Sequence, residues 1–205
     1  MQKASLLPSP LRLITAIAML CLAGALGLYA LFADPLKLPG SGEALIGGPF
    51  SMTNHRGEIV TEKTYLGRPM LLVFGFTFCP DVCPTELQVT TQALANLGSA
   101  GESIQPLFVS IDPERDKPDV LAAYVANFSP RLVGLTGTPE QVATMAAAYR
   151  VFYEKRPNQE DPAAYSMDHS SIIYLMDARG KFIKHFSYTT DPKLLSEGIS
   201  NALAH

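Results

Sequence analysis

Only three cysteines occur in 205 residues, too few for a small domain stapled by disulfides, and a chain of this length needs no such staples. Charge is sparse as well, at 17% of residues. No run of basic side chains offsets the 19 acidic groups against 16 basic ones, which argues against nucleic acid as a partner. No internal repeat and no low-complexity block is present. What is abundant is apolar surface: 47% of residues are hydrophobic and the mean hydropathy is +0.14. That composition excludes a disordered chain and points to one ordinary domain carrying a membrane-associated segment.

The segment is Leu13 to Phe32, which holds no charged residue. As a helix rising 1.5 Å per residue it would span roughly 30 Å, the thickness of a bilayer core. A cleaved signal peptide is the competing reading, but its apolar region usually runs about 7–15 residues and closes on small residues spaced A-x-A. Here cleavage after Ala30 or Ala33 would place Leu28 or Leu31 where a small residue is needed. Cys21 follows Leu20 rather than a small residue, so it reads as part of the anchor and not as a lipidated cysteine. Lys3 and Arg12 precede the segment and Asp34 follows it. The positive-inside rule then keeps residues 1–12 in the cytoplasm, makes 13–32 a single-pass anchor of a bacterial inner membrane, and exports the rest to the periplasm. Residues 33–48, rich in Pro and Gly, read as a tether to a domain over 49–205.

Within that domain, strands at 50–53 and 58–61 flank Asn54-His55-Arg56-Gly57 as a hairpin. Met70–Phe76 is a continuous apolar run, the mark of a strand buried on both faces. After Cys79 a helix is expected with Pro80 as its first residue, Leu87, Thr91, Leu94 and Leu97 on one face, and Gly98 at its end. Strands are expected at 104–111, 132–135, 151–155 and 171–176, with helices at 118–128 and at 139–150, the latter opened by Thr138-Pro139. A turn at 177–180 leads to a strand over 181–188, and 191–203 closes the chain as a helix. A βαβ unit followed by ββα predicts an α/β, thioredoxin-like fold: a mixed central sheet flanked by helices, with an N-terminal hairpin. The chemistry should then sit where the first central strand meets its helix.

Cys79-Pro80-Asp81-Val82-Cys83-Pro84 stands at that junction. Spacing i, i+4 at a helix start puts both sulfurs one turn apart, near backbone N–H groups that favour thiolate. The pair can be a permanent disulfide, a redox dithiol, or two ligands of a soft metal. A disulfide closing so few residues would stabilise little. Pro84, as the fifth helical residue, predicts a local kink. Of four histidines, His55 falls in a turn, His185 in a strand and His205 at the last position. His169, in Met167-Asp168-His169-Ser170-Ser171 before the strand IIYLM, lies in a loop expected to face the dithiol. As a metal ligand it remains one candidate among ordinary readings. Asp112, Glu114 and Asp116 fit turn and helix-start chemistry better than a hard-metal site.

The run Phe74 to Pro84, Ser110-Ile111-Asp112-Pro113-Glu114-Arg115-Asp116, Gly134-Leu135-Thr136-Gly137 and Tyr165 to Ser171, behind an N-terminal anchor, together resemble the SCO/SenC family of membrane-anchored copper proteins that help assemble cytochrome c oxidase. The resemblance implies one copper ion, Cu(I) with Cu(II) also open, held by Cys79, Cys83 and His169. It implies a metallochaperone for the CuA centre of oxidase subunit II, supplied by a periplasmic copper donor or a thiol reductant. The alternative is an enzyme, a thiol–disulfide oxidoreductase that reduces that subunit's cysteines before metallation. Asp81 and Asp168 are candidates to support the ligands from behind, Asp168 by orienting His169.

Overall fold

A computed structural model describes residue 14 and residues 16–25, 46–158 and 165–204. The chain divides into two units, Met1–Glu43 and Ala44–His205. In the first, residues 16–25 are helical and exposed. Among the described residues no helix is long and apolar enough to cross a membrane. The expected anchor extends beyond them at both ends, and most of the expected tether lies outside the described residues. The last residues of that tether belong to the fold: Ile46 packs on the core and the Gly47 N–H donates to the Ala148 carbonyl at 2.9 Å.

The second unit is built on a seven-stranded mixed sheet. Its strands are β1 (Ser51–Asn54), β2 (Ile59–Thr61), β3 (Met70–Gly75), β4 (Gln105–Ser110), β5 (Val133–Thr136), β8 (Ile172–Met176) and β9 (Phe182–Ser187), in the order β2-β1-β5-β4-β3-β8-β9. β3, β4 and β5 run parallel, and β1, β8 and β9 are joined antiparallel. Side chains alternate across the central strand, as a pleated strand requires. Met70, Leu72 and Phe74 enter one core with Leu107, Val109, Leu135 and Tyr149, whereas Leu71 and Val73 enter the other with Phe108 and Ile173.

Helices cover both faces. Among them α1 (Glu62–Tyr65) and α3 (Ser99–Ser103) are short and unexpected from periodicity. α2 (Val82–Asn96), α4 (Pro118–Val125) and α6 (Pro192–Leu203) bury Leu87, Leu121 and Leu195 against the second core. α5 (Pro139–Ala148) buries Val142 and Met145 in the first. α5 starts as expected, with Thr138 accepting from the Gln141 N–H and Pro139 inside the first turn. Gly98, in the left-handed region at φ 57°, follows the end of α2.

Two expectations require correction. The strand placed at 151–155 is β6 (Tyr153–Pro157), and among the described residues it pairs only with β7 (Tyr165–His169), in a stretch expected to be loop. This two-stranded ribbon stands apart from the main sheet and buries only Met167 of its ten residues. Without a buried face it carries no hydrophobic period, which is why the sequence does not announce it. The helix expected to open with Pro80 begins at Val82.

Candidate metal centre

β3 ends at Gly75, and the chain runs through Phe76, Thr77 and Phe78 to Cys79. The fully buried Asp116 carboxylate fixes this passage by accepting from the Thr77 N–H at 3.0 Å, Thr77 Oγ1 at 2.6 Å and Ser110 Oγ at 2.6 Å. The Cys79 N–H then donates to the Phe76 carbonyl at 3.2 Å. Cys79 therefore stands ahead of α2, while Cys83 is its second residue. A helix N-terminus leaves backbone donors without intrahelical partners. The Cys83 N–H is one of them, and it points at the Cys79 sulfur at 3.4 Å. The sulfurs thus meet because the helix start is aimed at Cys79, not because they stack along a helix face. Pro84 is consequently the third helical residue, where its missing N–H costs no hydrogen bond, so the expected reason for a kink is gone.

Cys83 is fully buried against β3. A Cβ at Gly75 would stand 2.8 Å from Cys83 Sγ and 3.0 Å from Phe108 Cε2, so this close approach requires glycine. His169 reaches the pair from the end of β7, its Nε2 at 3.4 Å from Cys83 Sγ. Its Nδ1 lies 3.0 Å from the Ser170 carbonyl. A proton on Nδ1 satisfies that bond and leaves the Nε2 lone pair facing the sulfurs, the form in which imidazole ligates a metal. The ring also meets Phe76 edge-on, centroids 6.0 Å apart.

The two thiols are unlike. The S–H of Cys83 hydrogen-bonds Cys79 and holds the Cys79 thiol down to about 4, with His169 and the backbone N–H groups of Cys83 and Asp81 adding to it against the opposing effect of burial. Cys83 is pushed up, first because its proton is committed to Cys79 and then by burial. At neutral pH the pair holds one thiolate, on the half-exposed Cys79, and one thiol. One turn on, Glu86 is wholly buried and neither carboxyl oxygen has a hydrogen-bond partner among the described residues. Burial, then the nearby Cys79 charge, pushes its carboxyl up to about 8. Nothing in the sequence marks this glutamate as buried.

Two soft sulfurs and an imidazole suit a soft ion such as Cu(I). Donors bound at about 2.3 and 2.0 Å to one ion stand roughly 3.5 Å apart at a tetrahedral angle, close to the observed S···N separation. Among the described residues no three His, Cys, Asp or Glu side chains already form a closed ion cage. The donors are gathered but not closed around an ion.

Other candidates stand elsewhere. The Asp168 carboxylate bonds Arg156 Nε at 2.7 Å, and it is the Ser170 carbonyl that engages the His169 Nδ1. Asp81 is exposed and contributes its backbone N–H to Cys79, not its carboxylate. His55 Nδ1 accepts from the Gly134 N–H, and His185 stacks on Phe182. His205 lies outside the described residues. Asp116 makes no helix cap, since Lys117 occupies that place. It is the residue most clearly missed, because its partners Thr77 and Ser110 are adjacent only in the fold.

Residues 39–204 match the family model described as SCO1/SenC. The chain belongs to the SCO1/SenC family. It is 50% identical over 147 residues to the mitochondrial Protein SCO1 homolog of Homo sapiens, covering 71% of this chain and 48% of that protein. Against the SCO2-like protein RC0895 of Rickettsia conorii it is 37% identical over 198 residues, covering 93% and 96%. This SCO1/SenC chain thus spans about half the length of the human relative and nearly all of the rickettsial one. Among solved structures, Bradyrhizobium japonicum ScoI with copper bound superposes with a TM-score of 0.71 at 40% identity, covering 77% of this chain and 99% of that one. The mixed α/β, thioredoxin-like architecture is therefore that of the Sco structures.

Proposed function

We propose that this chain is a copper-binding assembly factor of cytochrome c oxidase, with the ion as its cargo and Cys79, Cys83 and His169 as its ligands. The observation that carries this reading is the 3.4 Å approach of His169 Nε2 to Cys83 Sγ with the other ring nitrogen turned to a carbonyl. The copper-bound ScoI relative supports it. The acceptor is the CuA site of oxidase subunit II, and a periplasmic copper donor or thiol reductant charges the site. The apolar run 13–32 anchors the chain in a bacterial inner membrane, with its N-terminus cytoplasmic and its folded unit periplasmic. Anchoring keeps donor and acceptor in one plane and raises their effective concentration. Copper passes by stepwise exchange of this chain's thiolates and imidazole for the acceptor's ligands.

One observation favours a second reading, in which the pair reduces the acceptor's cysteines. Cys79 is a half-exposed thiolate backed by a buried thiol, the arrangement of an attacking and a resolving cysteine. Cys79 would open a target disulfide to a mixed disulfide, and Cys83 would displace the target dithiol, leaving a Cys79–Cys83 disulfide. An anaerobic Cu(I) competition titration of the reduced full chain separates the two readings. One tightly held copper per chain, weakened roughly 100-fold or more in His169→Ala, supports the chaperone, since even a residue behind a ligand is worth about 10–100-fold. Weak binding, or tight binding indifferent to His169, shifts the function to thiol reduction.

A further inference from the structure

The ribbon that carries His169 is poorly held by its own strands. As strands, β6 and β7 pair only with each other among the described residues, and an isolated two-stranded ribbon is marginal in water. Met167 pins its middle to the core. Tyr153 of β6 also packs on that core, at the His169 end, and the far end of β7 is fastened through Tyr165. The Tyr165 hydroxyl donates to Asp112 Oδ1 at 2.8 Å, and the Tyr165 carbonyl accepts from Arg115 Nη1 at 3.0 Å. The guanidinium lies 3.7 Å from the Tyr165 ring centroid and also covers Phe78 at 4.6 Å and Phe76 at 5.8 Å. Asp112 is 2% exposed and pairs with the half-buried Arg115, so the carboxylate end of this junction is shielded from water. The accompanying Lys155–Glu114 pair at 2.7 Å is exposed and adds little.

The same segment grips the other half of the site. Asp116, four residues after Asp112, holds Thr77 at the entrance to Cys79. Backbone bonds from Arg115 and Asp116 to the Asp112 carbonyl make the segment a compact turn, so both grips sit on one stiff piece of chain. We infer that Asp112-Pro113-Glu114-Arg115-Asp116 is a clamp that sets the His169 ribbon against the cysteine loop, with Asp112 and Arg115 acting through Tyr165 as positioning residues for the imidazole. This rests on the metal site proposed above. Its consequence is a divided site: the thiols are seated on the core, the imidazole on an arm. Loosening the clamp withdraws the third ligand while the two sulfurs stay in place.

The test uses the reduced full chain and two variants. Tyr165→Phe removes one hydrogen bond to a charged group and keeps the ring under Arg115. Arg115→Lys keeps the charge and loses the flat stack and the fork of donors. Amide exchange without metal is the first readout: residues 153–156 and 165–169 should exchange roughly tenfold faster in Tyr165→Phe, and β3 amides should be unchanged. Cu(I) competition is the second: affinity should fall roughly tenfold in Tyr165→Phe, and the same change placed on His169→Ala should cost nothing further. Unchanged ribbon exchange, equal acceleration in β3, or a loss that adds fully to that of His169→Ala overturns the clamp. A wild type that binds no copper overturns the metal reading instead, and the exchange arm still decides whether this segment holds the ribbon.

Discussion

Glu86 offers a sharp test of the electrostatics beneath the thiols. Its carboxyl is wholly buried without a partner and is pushed up from the ordinary 4.5 to about 8 by burial first and the Cys79 charge second. An acid whose folded pKa lies above its unfolded one keeps its proton longer in the folded state. Its contribution is therefore neutral below 4.5 and becomes a growing destabilisation as pH rises from 4.5 to about 8, levelling off above that. At about 1.4 kcal/mol per pH unit, the full loss is roughly 5 kcal/mol, of the same order as the whole stability of many domains. Glu86→Gln has nearly the same shape and cannot ionise. Urea unfolding of the reduced, metal-free chain from pH 5 to 9 should show the two proteins within about 1 kcal/mol at pH 5 and diverging steadily, the variant being the more stable at pH 9. Placing Cys79→Ser beneath both should narrow the gap, because it removes the second cause. A variant whose stability follows the wild-type pH profile in parallel would refute the assignment of a buried, protonated carboxyl at Glu86.

Alkylation of Cys79 in a Cys21→Ser background, followed by mass spectrometry, should reach half its limiting rate near pH 4 while Cys83 stays inert; Cys83→Ala removes the largest cause and should move that midpoint upward. Since Cys79 is already a thiolate and Cys83 is not, Cu(I) binding near pH 6–7 should release about one thiol proton, so affinity should weaken about tenfold per pH unit toward acid, and a hundredfold slope would contradict the asymmetry. Gly75→Ala drives a methyl toward Cys83 Sγ and Phe108, and should cost about 1–3 kcal/mol in thermal or urea unfolding. Asp116→Ala strands the Thr77 N–H and two hydroxyls, costs about 1–3 kcal/mol for each group left buried and unpaired, and should lower stability and copper affinity together.

The parts of this fold that could be read in the sequence are those where burial writes a period. β3 is apolar at every position because helices cover both of its faces, and α5 is bracketed by Thr138-Pro139. The cysteine pair stands out by spacing alone. What could not be read depends on residues distant along the chain. The ribbon hides because charged Glu154, Lys155 and Arg156 face water, so His169 looks like a loop residue. Asp112 and Asp116 resemble ordinary turn acids, since Tyr165 and Thr77, their partners, are 53 and 39 residues away. The helix start moved by two residues, from Pro80 to Val82, because Pro80 is as compatible with a first helical position as the residues that follow it.

If copper is passed on as proposed, the burial gradient across the donors sets an order for ligand exchange. Cys79 is half-exposed and already a thiolate, so it can take an incoming soft ion without first losing a proton. Cys83 is buried and protonated, and it can follow only once its proton has left. His169 turns Nδ1 to the Ser170 carbonyl and Nε2 to the sulfurs, but it rides on a ribbon fastened chiefly at Met167, Tyr153 and Tyr165. Release runs by the same logic in reverse. In the proposed transfer an acceptor's ligands would displace the imidazole first, because the arm is the least anchored of the three, and the buried sulfur would then recover its proton while Cys79, the donor nearest solvent, holds the ion last. A site whose three donors were all seated on the core would bind as well but would offer the acceptor no first step. The division between core thiols and ribbon imidazole therefore fits the proposed role, in which the bound ion is cargo to be given away.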